Sequence, residues 1–127
     1  MYAAIFRYNE GGPVAAVEKA LLGTLIMAPY LRLGAAVGAM TPAHFSNPDN
    51  AAIFRSVMKL RRPETVLVLA DLDANGPPAG ATGGWASLLS EALGEALVDD
   101  EAVDDAAAVI REASVKRSRE ARMRRLA

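Results

Sequence analysis

The chain has 127 residues, no cysteine, a formal net charge of −1 and 52% hydrophobic residues. This length fits one domain with a self-sufficient core, and the lack of cysteine excludes disulfides and thiolate sites. The sequence has no secretory signal and no run of roughly 20 apolar residues that would span a bilayer, so we expect a cytoplasmic protein without a membrane segment.

The first predicted helix follows residues 1–12, which we expect to form an N-terminal extension. Pro13 suits the first turn of a helix, and Pro29 ends the segment. Apolar residues recur between them at helical spacing, and such a stripe faces a core. The stripe consists of Val14, Val17, Leu21 and Leu25, widened by Leu22 and Ile26.

Two further helices are predicted before residue 61. The first covers about residues 31–40, where Gly34 and Gly38 lower the helix propensity. The second has clear start signals, because Asn47 can cap its first turn and Pro48 fits its first position. Its apolar face and the preceding phenylalanine supply predicted core residues: Phe45, Ile53, Phe54 and Val57.

The segment ETVLVLADLDANG is ambiguous, since the apolar run 66–69 suits either a buried strand or a helix. Thr65 as a cap and Gly76 as a terminator favour a helix. After a loop rich in proline and glycine, an amphipathic stripe predicts another helix. Its apolar residues are Trp85, Leu88, Leu89, Ala92, Leu93 and Ala96, of which the first three are predicted core residues.

The last predicted helix covers residues 98–127 and begins near Asp99. Its apolar face becomes thin beyond Val115, so its second half has little of its own to bury. We therefore predict an all-α protein: a small bundle of five or six helices, of which the last is long and partly projecting, with residues 13–97 forming the body of the bundle. The apolar face of that last helix contains Val103, Ala106, Ala107, Ile110 and Ala113, with Ile110 as a core residue.

One segment partly matches a calcium-binding loop. Asp71, Asp73, Asn75 and Gly76 fit the first half of an EF-hand loop, but Thr82 stands where that loop needs a bidentate glutamate. A helix end followed by a turn is therefore the preferred interpretation. We expect no bound metal.

Other groups of polar residues fit structural roles better than catalytic ones. The glycines of GPPAGATGGW precede a helix and could offer amides to an anion, but no phosphate-loop motif is present, which favours a connecting loop. The acidic pairs 100/104 and 101/105 favour the dipole of a helix start. His44 is the only histidine, and a single imidazole forms neither a zinc site nor a triad. We expect no catalytic residue and no cofactor.

Charge is distributed unevenly near the C-terminus. Residues 91–105 contain seven acidic and no basic residues, whereas residues 116–125 contain six basic residues and one glutamate. The basic residues form the candidate interaction surface: Lys116, Arg117, Arg119, Arg122, Arg124 and Arg125. Such a run usually forms a solvated face or a protein contact. The alternative is a nucleic-acid contact, because lysine and arginine neutralise phosphates. We expect that contact to be weak, because no aromatic residues are interleaved to stack on bases.

Five blocks, in their order and spacing, resemble the N-terminal domain of DnaB-type replicative DNA helicases. The blocks are EKALLGTLIMAP, MTPAHFSNPDNAAIFRSVMKL, ETVLVLADLDANG, GGWASLLSEAL and DDAAAVIREASVKRSRE. The resemblance implies a non-catalytic helical domain that forms a collar on the ATPase ring and binds primase or loader proteins. The last helix would be the first arm of the family's helical hairpin.

This sequence also departs from the family pattern. Lys19 stands where the family usually has glutamine, Ser46 replaces an aromatic residue, and the acidic stretch GEALVDDEAVDD replaces a polar link. The ATPase motor is missing from the sequence. A free-standing nucleic-acid-binding or helicase-regulating protein is therefore the alternative. We expect the chain alone to be a monomer in dilute solution and a weak antiparallel dimer at high concentration.

Overall fold

The computed structural model describes residues 12–80, 83–97 and 99–126 of the chain, and within these ranges all regular structure is helical. The predicted all-α bundle with a long C-terminal helix is confirmed. The predicted N-terminal extension lies outside the described residues, except for Gly12. The α-helices are α1 (Gly12–Met27), α2 (Ala35–Gly38), α3 (Pro48–Lys59), α4 (Thr65–Ala74), α5 (Gly84–Gly94) and α6 (Asp100–Leu126).

α1 is the central helix of the bundle and packs against α3, α5 and α6. Leu21, Leu22 and Leu25 of this helix are fully buried. The apolar stripe of the sequence therefore faces the core, as expected from its spacing. Among the described helices, none combines the length and the hydrophobicity needed to cross a membrane.

α3 begins at the position that Asn47 and Pro48 predict. The side chain of Asn47 accepts hydrogen bonds from the backbone amides of Asp49 and Asn50 at 2.9 and 3.1 Å, and Pro48 occupies the first helical position. Phe45 and Phe54 then meet in the core with ring centroids 4.7 Å apart. The local cap thus directs the helix so that its apolar face reaches the core.

The helix predicted over about residues 31–40 is wrong as a continuous element. A 3₁₀ helix spans Pro29–Leu33, and the four-residue α2 follows it, because Gly34 between them is in an extended conformation. Arg32 accounts for the position of the 3₁₀ helix. Its Nη1 donates to the carbonyl oxygens of Val57 and Leu60 at 2.9 and 2.7 Å, so the guanidinium satisfies carbonyl groups at the C-terminal end of α3.

The ambiguous run 66–69 is helical and belongs to α4. Its exposure follows the helical period, since Val66 is 75% exposed whereas Val68 is fully buried. Gly76 follows the helix with a φ of 115°, which only glycine adopts readily. The predicted cap is wrong: Glu64 precedes α4 without capping it through its side chain, and Thr65 is the first helical residue.

The predicted core residues lie mostly in one buried cluster. Leu88 is the exception, because it is partly buried and packs against the edge of the cluster. Trp85 and Leu89 of the same helix are buried. The buried residues of the predicted set are Leu21, Leu25, Phe45, Ile53, Phe54, Val57, Trp85, Leu89 and Ile110.

Trp85 joins α5 to the end of α4 by a hydrogen bond. The residue is 6% exposed, and its Nε1 donates to the carbonyl oxygen of Gly76 at 2.8 Å. Trp85→Phe keeps most of the ring packing, loses this bond and leaves a small cavity, so we expect a loss of roughly 2 kcal/mol in the free energy of unfolding.

Urea unfolding followed by circular dichroism measures this loss, since the variant has no tryptophan left for fluorescence. Val66→Ala is the matched control, because that side chain is largely exposed, and it should unfold almost as the parent does. Equal stability of Trp85→Phe and the parent would mean that the indole hydrogen bond contributes nothing.

Candidate interaction surface

α6 divides into a half that packs on the bundle and a half that does so only in part. Val103, Ala106, Ala107 and Ile110 are buried against the core, and no described residue after Ile110 is fully buried. Val115, Met123 and Leu126 are exposed apolar residues of the second half. The second half of α6 therefore offers a surface that the described part of the bundle does not cover.

The acidic residues at the start of α6 are solvent-exposed. The Asp99 carboxylate accepts a hydrogen bond from the backbone amide of Ala102 at 2.8 Å, as a helix cap does. Asp100, Glu101, Asp104 and Asp105 follow it and are all exposed. This arrangement fits the dipole-stabilising role expected from the sequence, and it also leaves four carboxylates available to a partner.

Five of the six predicted surface cations are exposed: Lys116, Arg119, Arg122, Arg124 and Arg125. Arg117 differs from them. It is half-buried, and its Nη2 donates to the carbonyl oxygen of His44 at 2.9 Å. We therefore remove Arg117 from the candidate surface, since it holds α6 against the loop that carries His44.

A groove lies between His44 and the exposed side of α6. We define the His44 groove by His44, Arg111, Glu112, Val115, Lys116 and Arg119, and its volume is about 660 Å³. A second concavity on the same side continues it toward Arg122 and Arg125. The Nε of Arg111 is buried and has no hydrogen-bond partner. With three cations against one carboxylate, the His44 groove favours an anionic partner.

His44 itself acts as a cap. Its Nδ1 accepts a hydrogen bond from the backbone amide of Thr41 at 2.9 Å, at the start of the 3₁₀ helix Pro42–His44. Because that amide must donate, a neutral His44 carries its proton on Nε2. The residue thus has a structural role, in agreement with the sequence prediction.

Two buried carboxylates connect distant parts of the chain, a role that we did not predict for either of them. Glu18 of α1 is 0% exposed and accepts from the backbone amide of Ser46 at 2.6 Å and from the side-chain amide of Asn50 at 3.0 Å. A sequence signal existed, because Glu18 lies four residues before Leu22 and seven before Leu25, on the buried face.

Asp49 is the second buried carboxylate. It accepts from the backbone amides of Ala79 and Gly80 at 2.7 and 3.1 Å. The loop amides that we considered for an external anion are thus paired with an anion of the protein itself. Residues 81 and 82 of this loop lie outside the described residues.

The segment that partly matches a calcium loop is the end of α4. Asp71 and Asp73 are helical residues, and Lys59 Nζ lies 2.6 Å from Asp71 Oδ1. The hydrogen bond from the Lys59 ammonium lowers the pKa of the Asp71 carboxyl below its ordinary value. Within the described residues, no group of three or more histidine, aspartate or glutamate side chains could hold a metal ion.

Comparison with known proteins adds no identification. No family model, no curated protein and no solved structure matches the chain. The class that the structure defines is an all-α helical bundle with a long, charge-polarised C-terminal helix.

Proposed function

We propose that this chain is a non-catalytic protein-interaction and oligomerisation module of the type found at the N-terminus of DnaB-type replicative helicases. Its role would be cytoplasmic, in the primosome, where it docks primase or a helicase loader and contributes to the collar of the hexamer. The hydrolysis of ATP would belong to a separate motor domain.

The observation that carries this proposal is the match between the five sequence blocks and the packed helices. EKALLGTLIMAP covers most of α1, at the centre of the bundle, and the following blocks cover α3, α4, nearly all of α5 and residues 104–120 of α6. Each block thus overlaps a different α-helix of the bundle.

Calorimetry against the C-terminal domain of the primase from the same organism tests the proposal. We expect saturable binding, weakened when Lys116, Arg119 and Arg122 are replaced by alanine, because exposed cations steer and hold an acidic partner. Arg61→Ala with Arg62→Ala is the matched control, since it removes exposed cations at another site. An absence of binding at high micromolar concentrations would contradict the primase role, and ATP hydrolysis by this chain alone would contradict the non-catalytic role.

The second candidate function is nucleic-acid binding by a free-standing regulatory protein. The five exposed cations of α6 favour it, because lysine and arginine neutralise phosphates and release counterions. We would then expect retention on single-stranded DNA that falls steeply with salt and is lost in the variant with Arg122, Arg124 and Arg125 replaced by alanine. Retention that is insensitive to both changes would exclude this surface.

A further inference from the structure

The His44 groove and the concavity that continues it form one trough along α6, which we call the α6 trough. His44 and Val115 line both parts, and the other lining residues of α6 recur every three or four positions, so they share one side of the helix. The trough extends from Ala108 to Arg125, about 25 Å at the rise of an α-helix. Its cations are Arg111, Lys116, Arg119, Arg122 and Arg125.

These five cations are not neutralised within the described part of the chain. The ion pairs found there involve no residue of α6. Glu112 is the one carboxylate among the described residues that line the α6 trough. A concave surface lined by charges of one sign concentrates small ions of the opposite sign. The charge of the trough therefore favours a compact anion that carries several negative charges.

Arg111 is the half-buried cation of the α6 trough. Its Nε is shielded from water and has no hydrogen-bond partner among the described residues. A buried donor without an acceptor is unfavourable. Because Nε is shielded, a ligand meets it when the guanidinium turns toward the trough. A phosphoryl group would then supply the acceptor, since guanidinium groups bind phosphate through two parallel N–H donors.

Neutral donors and a small apolar area complete the α6 trough. The Nδ1 of His44 accepts from the amide of Thr41, so the neutral ring offers its Nε2–H as a donor. Ser114 and Ser118 line the part toward Arg125, whereas Ala108 lines the other end. Few polar groups beside an apolar wall are typical of small-molecule sites, and the volume of the His44 groove, about 660 Å³, lies in their size range.

We propose that the α6 trough binds a small ligand with two or more phosphoryl groups, either a nucleoside polyphosphate or an inorganic polyphosphate. A singly charged anion would neutralise only a small part of five cations, whereas a chain of phosphoryl groups carries closely spaced charges along the trough. A compact ligand of high charge also fits a concave site of this volume better than the flat side of a protein does. This binding does not depend on the function proposed above.

Isothermal titration calorimetry of the whole chain tests the binding with three probes: adenosine triphosphate, tripolyphosphate and adenosine. At constant ionic strength and without added magnesium, we expect saturable binding of the phosphate ligands at one site and no binding of adenosine. Tighter binding of adenosine triphosphate would identify the nucleotide as the ligand, and equal or tighter binding of tripolyphosphate would identify the inorganic chain. No saturable binding of either at low millimolar concentrations would overturn the proposal, as would tighter binding of a poly-glutamate peptide.

Two single substitutions separate the α6 trough from general attraction by a basic helix. Arg119→Ala removes a cation that lines the trough, and we expect a roughly tenfold loss of affinity. Arg124→Ala is the matched control, because it removes the same charge from an exposed position of the same helix that lines neither part of the trough. Its affinity should change little. Equal losses in the two variants would show attraction by overall charge and overturn the proposal.

Arg111→Met separates ligand binding from folding. Methionine keeps a long, unbranched side chain and removes the guanidinium. Without ligand, we expect this variant to unfold at no lower urea concentration than the parent, because the Nε of Arg111 has no partner in the described chain. The stabilisation of the parent by added tripolyphosphate should be largely lost in the variant. Full stabilisation of Arg111→Met by tripolyphosphate would place the ligand elsewhere and refute the site.

Discussion

Gly23→Ala is expected to lower the free energy of unfolding by about 5 kcal/mol or more, which is enough to unfold a domain of this size. A Cβ atom added at Gly23 would lie 1.8 Å from the carbonyl oxygen of Ala92, well inside contact distance. Both groups belong to backbones of packed helices, so no side-chain rotation relieves the clash. α1 and α5 would have to separate, and the buried residues between them would lose contact.

Gly94→Ala is the matched control for this substitution. Gly94 is the last residue of α5, its φ is not positive, and an added Cβ would meet no atom within 4 Å. We expect this variant to be as stable as the parent or slightly more stable, since alanine has less conformational freedom to lose on folding. Chemical unfolding monitored by circular dichroism gives both values. A loss below about 1 kcal/mol for Gly23→Ala would show that α1 and α5 do not approach each other closely enough for the added Cβ to meet the carbonyl oxygen of Ala92.

Glu18→Ala is expected to cost roughly 3–5 kcal/mol, because it removes a buried charged acceptor from its donors. Three donors would lose this acceptor: the backbone amides of Ser46 and Asn47 at the entry to α3, and the side-chain amide of Asn50, which would keep only its bond to the carbonyl oxygen of Ala15. The substitution thus disconnects α1 from the start of α3. Its effect should therefore appear as reduced protection of the α3 amides in hydrogen exchange, in addition to lower stability.

Two further variants separate the roles of charge and shape at Glu18. Glu18→Gln keeps the size but turns an NH₂ group toward one of the donors, so its cost should lie between those of the parent and Glu18→Ala. Glu91→Ala removes an exposed carboxylate that pairs with Lys19 at 2.9 Å, and it should cost at most about 1 kcal/mol. If Glu18→Ala were as mild as Glu91→Ala, the buried carboxylate would not connect the two helices.

The proposals about the surface of α6 depend on the division of this helix into a first half that is packed on the bundle and a second half that is largely exposed. Its buried half is fixed by α1, so substitutions at the exposed cations should change binding without changing stability. Arg117 is different, because its hydrogen bond to His44 belongs to the fold. Variants of α6 intended as binding tests should therefore leave Arg117 unchanged.

Features that depend on neighbours along the chain could be predicted from the sequence. The cap of α3 at Asn47, the apolar stripe of α1 and the end of α4 before Gly76 all follow from backbone chemistry within a few residues. The charge of the α6 surface could be predicted for the same reason, since it requires only the residue types and the helical period.

The tertiary structure decided the features that join residues far apart in the chain. The sequence contains no local signal that Gly23 touches the backbone at Ala92, that Arg117 donates to His44 or that Asp49 holds the amides of Ala79 and Gly80. It also favoured a helix over residues 31–40, where the extended Gly34 and the reach of Arg32 to the end of α3 produce two short pieces. These contacts depend on how the helices pack, because a close approach or a buried polar group acquires its partner only when the elements have come together.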